Sequence, residues 1–296
     1  MNCSKLNAMT KNPMSISRRD FSKIFAGAAA APLLLGKVNS TVDGVLIGVQ
    51  SYSFRDRGLD EALKAMKEVG LGECELWQGH VEPKNLKGKE LTNWRETVSL
   101  DELKKVRKKF DDAGINLYAY NYSFRDNFTE KEIERGFVMA QAMGVKIITA
   151  SSTLSCVPRI DKYAPKYKIK VGFHGHDNVK NPNEFATPDR FQKAMDGHSK
   201  FMCVNLDIGH FTAAGFDPVE YIEKHHERIV TLHVKDRKKT GENLPFGEGD
   251  TPIKKVLQLL KTKKYKIPAN IEYEYKGADS QAEVAKCYQY MKQQLA

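Results

Sequence analysis

The fold that the sequence predicts is a single (β/α)8 barrel, the TIM-barrel architecture, and three observations predict it. Strand-like apolar stretches alternate eight times with helix-like ones over about 250 residues, the usual size of such a barrel. Four successive late stretches end on a potential ligand: 171–174 (VGFH), 201–207 (FMCVNLD), 229–233 (IVTLH) and 269–272 (ANIE). In a parallel barrel the C-terminal strand ends converge on one face, where active sites sit. An open doubly wound sheet instead places one or two ligands at a switch point, so four on successive strands favour the closed barrel.

The first 40 residues differ in kind. Ser17-Arg18-Arg19-Asp20-Phe21-Ser22-Lys23 precedes a short, alanine-rich apolar run over 24–35. This resembles a twin-arginine export signal, with Ser22 where an apolar residue is commoner. The expected division is therefore a leader over 1–40 and a barrel over 41–296. The expected location is periplasmic, with membrane contact only through an uncleaved leader. Without the leader the formal charge falls from +10 to +5, because it carries six Lys/Arg and one acid. The basic runs that remain, KKVRKKF at 104–110 and KTKKYK at 261–266, fall on helical stretches as solvated faces, so no nucleic-acid partner is expected. Cys74, Cys156, Cys203 and Cys287 are widely spaced and form no disulfide framework; Cys74 and Cys203 read as small buried hydrophobes.

The elements follow in order. Residues 44–51 (GVLIGVQS) predict strand one. Leu59, Ala62, Leu63, Met66 and Val69 lie at helical spacing, with Gly70 as the stop. Strand two is 74–77 (CELW), and a polar insert over 78–98 follows. Ser99 and Glu102 form a predicted capping box for a helix ending at Ala113, before strand three at 116–122. Thr129 and Glu132 form another, before strand four at 145–150. Pro158 and Pro165 predict a shortened fourth helix. Strand five is 169–174, and Thr187-Pro188 opens the next helix. Strand six is 203–207, followed by Asp217-Pro218 with Glu220 as a helix start. Strand seven is 229–235, then the Gly247-Glu248-Gly249 loop and a helix after Pro252. Strand eight is 268–273, and Ser280 with Glu283 caps the last helix.

His174, Asp207, His233 and Glu272 are nitrogen and oxygen donors suited to Mn, Co, Zn or Fe as a divalent ion, with Mg also admissible. His176 shares a strand face with His174. Glu75 and His80 follow strand two, where either can line the pocket. His210 and Lys235, just beyond two of the ligands, are placed to bind substrate, and Trp77, Tyr52, Phe54 and Tyr122 are candidates for stacking on a sugar face or for filling the core.

Asp207-Ile208-Gly209-His210, His233, Gly247-Glu248-Gly249 and Glu272 together resemble the xylose isomerase-like barrel family of sugar isomerases and epimerases, over residues 44 to 295. The resemblance implies one divalent metal held at the ends of strands five to eight and a small carbohydrate substrate. It also implies an enediolate formed by removing a proton α to the carbonyl of a keto-sugar. The family's epimerases carry a Glu on strand five where this chain has His174, in Phe173-His174-Gly175-His176-Asp177. An epimerase of this kind needs a carboxylate on each face of the enediolate, and a metal-bound imidazole cannot serve as a free base. The expected catalytic residues are therefore Glu272 with His176, Glu75 or His80 as partner, unless one base suffices. One-base elimination from a 3-oxo-glycoside, a lyase or hydratase reaction, is the alternative chemistry, and a catalytically inactive sugar-binding barrel is the non-enzymatic one. A repair endonuclease of related fold would require a trinuclear zinc set with more His and Glu than this chain provides.

Overall fold

A computed structural model describes residues 36–296. The expected leader lies outside the described residues except for its last few positions. Strands β1 (Val45–Gln50), β2 (Glu73–Trp77), β3 (Asn116–Asn121), β4 (Ile147–Ala150), β5 (Lys170–His174), β6 (Met202–Asp207), β7 (Ile229–Val234) and β8 (Ala269–Ile271) are all parallel. Each pairs with the next, and β8 pairs with β1, so the sheet closes. The predicted (β/α)8 barrel is the observed fold.

Why the wall forms is visible in the pleat. Alternate residues of a strand face opposite sides, and Ile47, Val49, Cys74, Leu76, Val171, Phe173, Val204, Leu206, Leu232 and Val234 are buried apolar members of one core. The intervening positions are buried and polar: Glu73, Glu75, Thr149, Asn205, Thr231, His233 and Asn270. Thr149 of β4 and His233 of β7 both bond Glu75 of β2, a strand that neighbours neither. Those bonds must cross the lumen, so this barrel is filled by a hydrogen-bonded polar network. Gly48 and Gly172 leave it room: a Cβ on Gly48 would lie 2.2 Å from the Asn270 side chain, and one on Gly172 2.5 Å from Val230.

The helices follow the amphipathic spacing and its punctuation. Helix α1 (Leu59–Val69) ends on Gly70 at φ 89°, whose N–H reaches the Met66 carbonyl. The insert after β2 is not featureless: Gly88–Thr97 forms α2, pinned by Arg95, which is buried between Glu82 at 2.8 Å and Glu132 at 3.4 Å. Helix α3 (Leu100–Ala113) is capped by Ser99 alone, which accepts from Asp101 N rather than closing a box with Glu102. Helix α4 (Glu130–Ala142) has the full Thr129–Glu132 box. The proline-broken stretch forms two short helices, α5 (Val157–Asp161) and α6 (Ala164–Tyr167). Helix α7 spans Pro188–Met195, α8 Ile208–Ala213, α9 Pro218–His225, α10 Ile253–Lys263 and α11 Ser280–Leu295. The cap of α11 is Asp279, one residue ahead of the expected Ser280.

The compact unit starts at Gly36. Val38 N donates to Gly114 O at 2.9 Å, and Ser40 Oγ donates to Ile47 O and accepts from Gly72 N. Thr41–Val42 then pairs antiparallel with β1. The packed chain thus reaches upstream of the boundary expected at 41. Cys74, Cys156, Cys203 and Cys287 are free and buried. Among the described residues no helix is long and apolar enough to cross a membrane.

Candidate active site

The C-terminal strand ends open into a cavity of about 570 Å3, lined in part by His174, His176, His210, His233, Lys235 and Glu272. At its base, one ligand atom each from His174, Asp207, His233 and Glu272 lie within 4.8 Å of one another. His174 Nε2 is 3.2 Å from Asp207 Oδ2 and 3.8 Å from Glu272 Oε2, and His233 Nδ1 is 3.1 Å from Glu272 Oε2. Tetrahedral zinc with bonds near 2 Å needs ligand–ligand separations of roughly 3.3 Å. The spacing and the two-imidazole, two-carboxylate chemistry fit a divalent ion.

The far sides of both imidazoles are held. His233 Nε2 is 3.0 Å from both oxygens of Glu75, and His174 Nδ1 is 3.1 Å from Ser151 Oγ. Such outer partners fix the ring orientation and tautomer of a metal-binding histidine. Asp207 also caps α8, taking His210 N at 2.7 Å, so the turn that carries His210 into the cavity is built on the same carboxylate.

Lys235 is the cation of the site. Its Nζ lies 3.1 Å from Asp207, 2.7 Å from Glu272 and 2.5 Å from Glu274. Burial works against the charged lysine, but those three carboxylates outweigh it and raise its pKa. Burial likewise opposes the ionised Asp207 and Glu272, yet Lys235 and the adjacent imidazoles hold both acids below the usual carboxylate range. His233 is raised against its burial by Glu272 and Glu75. His174 is lowered, chiefly by burial and then by the neighbouring His233. Burial, with His174 and His210 beside it, pushes His176 down to about 3, leaving a neutral imidazole on the wall at neutral pH.

The expected site residues separate into those that meet and those that do not. His174, Asp207, His233 and Glu272 converge, and His176, His210 and Lys235 line the cavity above them. Glu75 does not. It is fully buried under His233, where Gln50, Thr149 and Asn270 donate to it, so it reaches no substrate. This corrects its expected role as a base: the pleat that points it into the lumen also sinks it below the mouth. His80 does not reach the cavity either. Its Nδ1 is 3.0 Å from Ser51 Oγ, its Nε2 3.3 Å from Phe54 O, and its ring meets Trp77 edge-on at 5.4 Å. Its role there is to back Trp77, which does line the cavity with Tyr52. Phe54 and Tyr122 are core, the Tyr122 hydroxyl donating to Glu132 O.

Four neighbours of the site had no signal of their own. Arg237 and Asp177 pair at 3.1 Å, and both contact His210 Nδ1. Glu274 joins Lys235 from beyond β8. The Gly247-Glu248-Gly249 loop is fixed by buried Asp236, which accepts from the backbone N of Gly247, Gly249 and Thr251. Asp236 and Arg237 follow His233 and Lys235 directly in sequence, which was the one available hint.

The sequence profile of the xylose isomerase-like TIM barrel family matches residues 63–294. Among curated proteins, 3-oxo-isoapionate decarboxylase of Pectobacterium atrosepticum is 30% identical over 152 residues, 48% of this chain and 52% of that protein. The chain thus matches about half the length of that relative. Among solved structures, a sugar phosphate isomerase/epimerase from Parabacteroides distasonis superposes with a TM-score of 0.62 at 18% identity, covering 90% of this chain and 98% of that one. The IOLI protein, solved with a bound zinc atom, gives a TM-score of 0.65 at 14% identity over 85% and 98%. At such identities the likeness of the two structures is one of fold.

Proposed function

This chain belongs to the xylose isomerase-like TIM barrel family, and from that premise we propose that it is a divalent-metal-dependent enzyme that removes a proton α to the carbonyl of a keto-sugar. The observation that carries this reading is the meeting of His174, Asp207, His233 and Glu272 at the base of a cavity whose wall holds neutral His176. His174, Asp207, His233 and Glu272 would hold the ion, which supplies Lewis-acid polarisation of the substrate carbonyl when bound. Lys235 donates toward the oxygen on which charge develops. His176 takes the α-proton at its unprotonated nitrogen, and the C–H electron pair becomes the enediolate double bond. Tyr52 and Trp77, in edge contact at 5.0 Å, form a wall for a sugar ring.

Return of that proton to the other carbon or the other face completes an isomerase or epimerase reaction. A specific observation favours a second outcome. With Glu75 and His80 away from the cavity and Glu272 taken up in the ligand set, His176 is the one expected base left free on its wall. One-base chemistry suffices for a 3-oxo-glycoside lyase, in which the electron pair expels the group β to the carbonyl. The relative named a 3-oxo-isoapionate decarboxylase supports a 3-oxo substrate, though through half of its length.

The test is incubation of the manganese- or zinc-loaded protein with fructose and with a methyl 3-oxo-glucoside in deuterated buffer, followed by NMR. Deuterium at the α carbon with an intact skeleton gives the isomerase or epimerase, and release of methanol gives the lyase. No exchange with either compound, in protein that holds the metal, leaves a sugar-binding barrel and overturns the enzyme reading. Export by the twin-arginine route belongs to the same proposal, on the strength of Ser17–Lys23 and the apolar run after it. Residues 1–40 fused to a folded reporter should direct it to the periplasm only where that route operates.

A further inference from the structure

One pentapeptide occurs twice in this chain. Tyr52-Ser53-Phe54-Arg55-Asp56 follows β1, and Tyr122-Ser123-Phe124-Arg125-Asp126 follows β3. The two copies do the same structural work at three positions. Phe54 and Phe124 are fully buried. Ser53 Oγ accepts from Tyr273 N beyond the neighbouring strand β8, and Ser123 Oγ accepts from Ser151 N beyond the neighbouring strand β4. Asp56 accepts from Ser280 Oγ, and Asp126 from Thr153 and Ser155 Oγ.

The arginines differ. Arg55 is consumed by the fold: Nη1 donates to Tyr273 O at 2.8 Å and Tyr52 O at 3.3 Å, and its guanidinium lies over both of those rings. Arg125 lines the cavity and, among the described residues, its side chain makes neither a hydrogen bond nor an ion pair. The backbone beneath it is nonetheless clamped, by Ser123 and Asp126 on either side and by Arg159, which donates to Asp126 O. Arg125 is exposed, so its fork of donors stays unspent on the protein and is carried on a held backbone at the cavity mouth, where an anion can take it. Charge points the same way. With a divalent ion present, Asp207, Glu272 and Glu274 are balanced by it and Lys235, and Arg237 is paired with Asp177. Arg125 is then the uncompensated cation of the cavity wall.

We propose that Arg125 recognises a carboxylate on the sugar, so that the substrate is a keto-sugar acid rather than a neutral sugar. This deepens the reading above and rests on it. A single planar guanidinium matches a carboxylate in bidentate fashion. A phosphate cradle is built from several backbone N–H groups at a helix start. The next helix start along the chain, that of α4, is already capped by Thr129 and Glu132.

The test uses three ketoses that differ only at C6: D-fructose, D-fructuronate and D-fructose 6-phosphate. Each is titrated by calorimetry into zinc-loaded full-length protein, wild type and Arg125→Gln. Fructuronate should bind tightest, and Arg125→Gln should weaken it about 10- to 100-fold, the worth of one charge-assisted hydrogen bond, while leaving fructose unchanged. Arg125→Lys should restore only part of the affinity. Equal affinities for fructose and fructuronate, a preference for the phosphate, no binding of fructuronate, or a fructuronate preference that survives Arg125→Gln would each overturn the inference. Zinc uptake is titrated separately without sugar, so failure of the metal reading shows as a missing zinc signal. An Arg125-dependent preference for fructuronate in zinc-free protein would still uphold the inference.

Discussion

The mouth and the floor of this barrel treat buried acids in opposite ways. At the mouth, Asp207 and Glu272 sit among Lys235, His174 and His233 and are held ionised. At the floor, Glu73 has one amide partner, Asn116 at 3.3 Å, and its other oxygen has none. Burial, aided by Glu75, overcomes that one bond and pushes Glu73 up to about 8. Glu75 lies between them on the same strand face, with His233 as its partner. The difference teaches that burial alone does not decide charge. An acid in this lumen stays ionised where cations have been placed beside it and takes up a proton where none has.

Four variants test that gradient, taken from the largest expected effect down. Asp207→Asn keeps an N-cap for α8 but removes the charge that the ion and Lys235 share. Zinc binding by calorimetry and turnover should both be lost, with the circular dichroism of the barrel unchanged. Glu73→Gln addresses the floor. Because the folded pKa lies above the ordinary 4.5, the folded state holds a proton that the unfolded state has released between about pH 4.5 and 8. Stability therefore falls as pH rises through that window, by up to about 3 to 5 kcal/mol. Denaturant midpoints of the Gln variant should be flatter over the same range, and an unchanged slope would remove Glu73 from the account. Glu75→Gln leaves shape but weakens the grip on His233, so zinc affinity should drop about 10- to 100-fold. His80→Ala should cost about 1 kcal/mol of stability through the lost contacts to Ser51 and Phe54, with zinc affinity unchanged. A fall in zinc affinity would return His80 to the site.

Much of this was legible in the chain, for a physical reason. An apolar run broken by His174, Asp207, His233 or Glu272 announces itself because a potential ligand interrupts it near the strand end, and parallel closure brings the four together without further information. Depth was less legible. Glu73 and Glu75 lie two apart and face the same way, so period-two patterning places both in the lumen, yet how far each sits below the rim depends on stagger between strands. The pairing of Asp177 and Arg237 around His210 was illegible because the three follow different strands, β5, β7 and β6, and only barrel closure brings them together. The helix Gly88–Thr97 was hidden in a polar stretch because Arg95, a charged residue, supplies its buried anchor between two acids. The twice-used pentapeptide was in plain view, but only the folded surroundings separate the spent arginine from the unspent one.

The strip from Gly36 to Ser40 has a consequence for any protease acting on this protein. Gly72 has no room for a Cβ because the Val38 carbonyl would lie 1.9 Å away, and Gly36 O would lie 3.0 Å from one on Gly114. The strip is a gasket drawn tight against the starts of β1, β2 and β3 on the underside of the cylinder. A cut upstream of Gly36 leaves the seal in place, whereas trimming through Val38 and Ser40 strips it off and admits water from below toward Glu73.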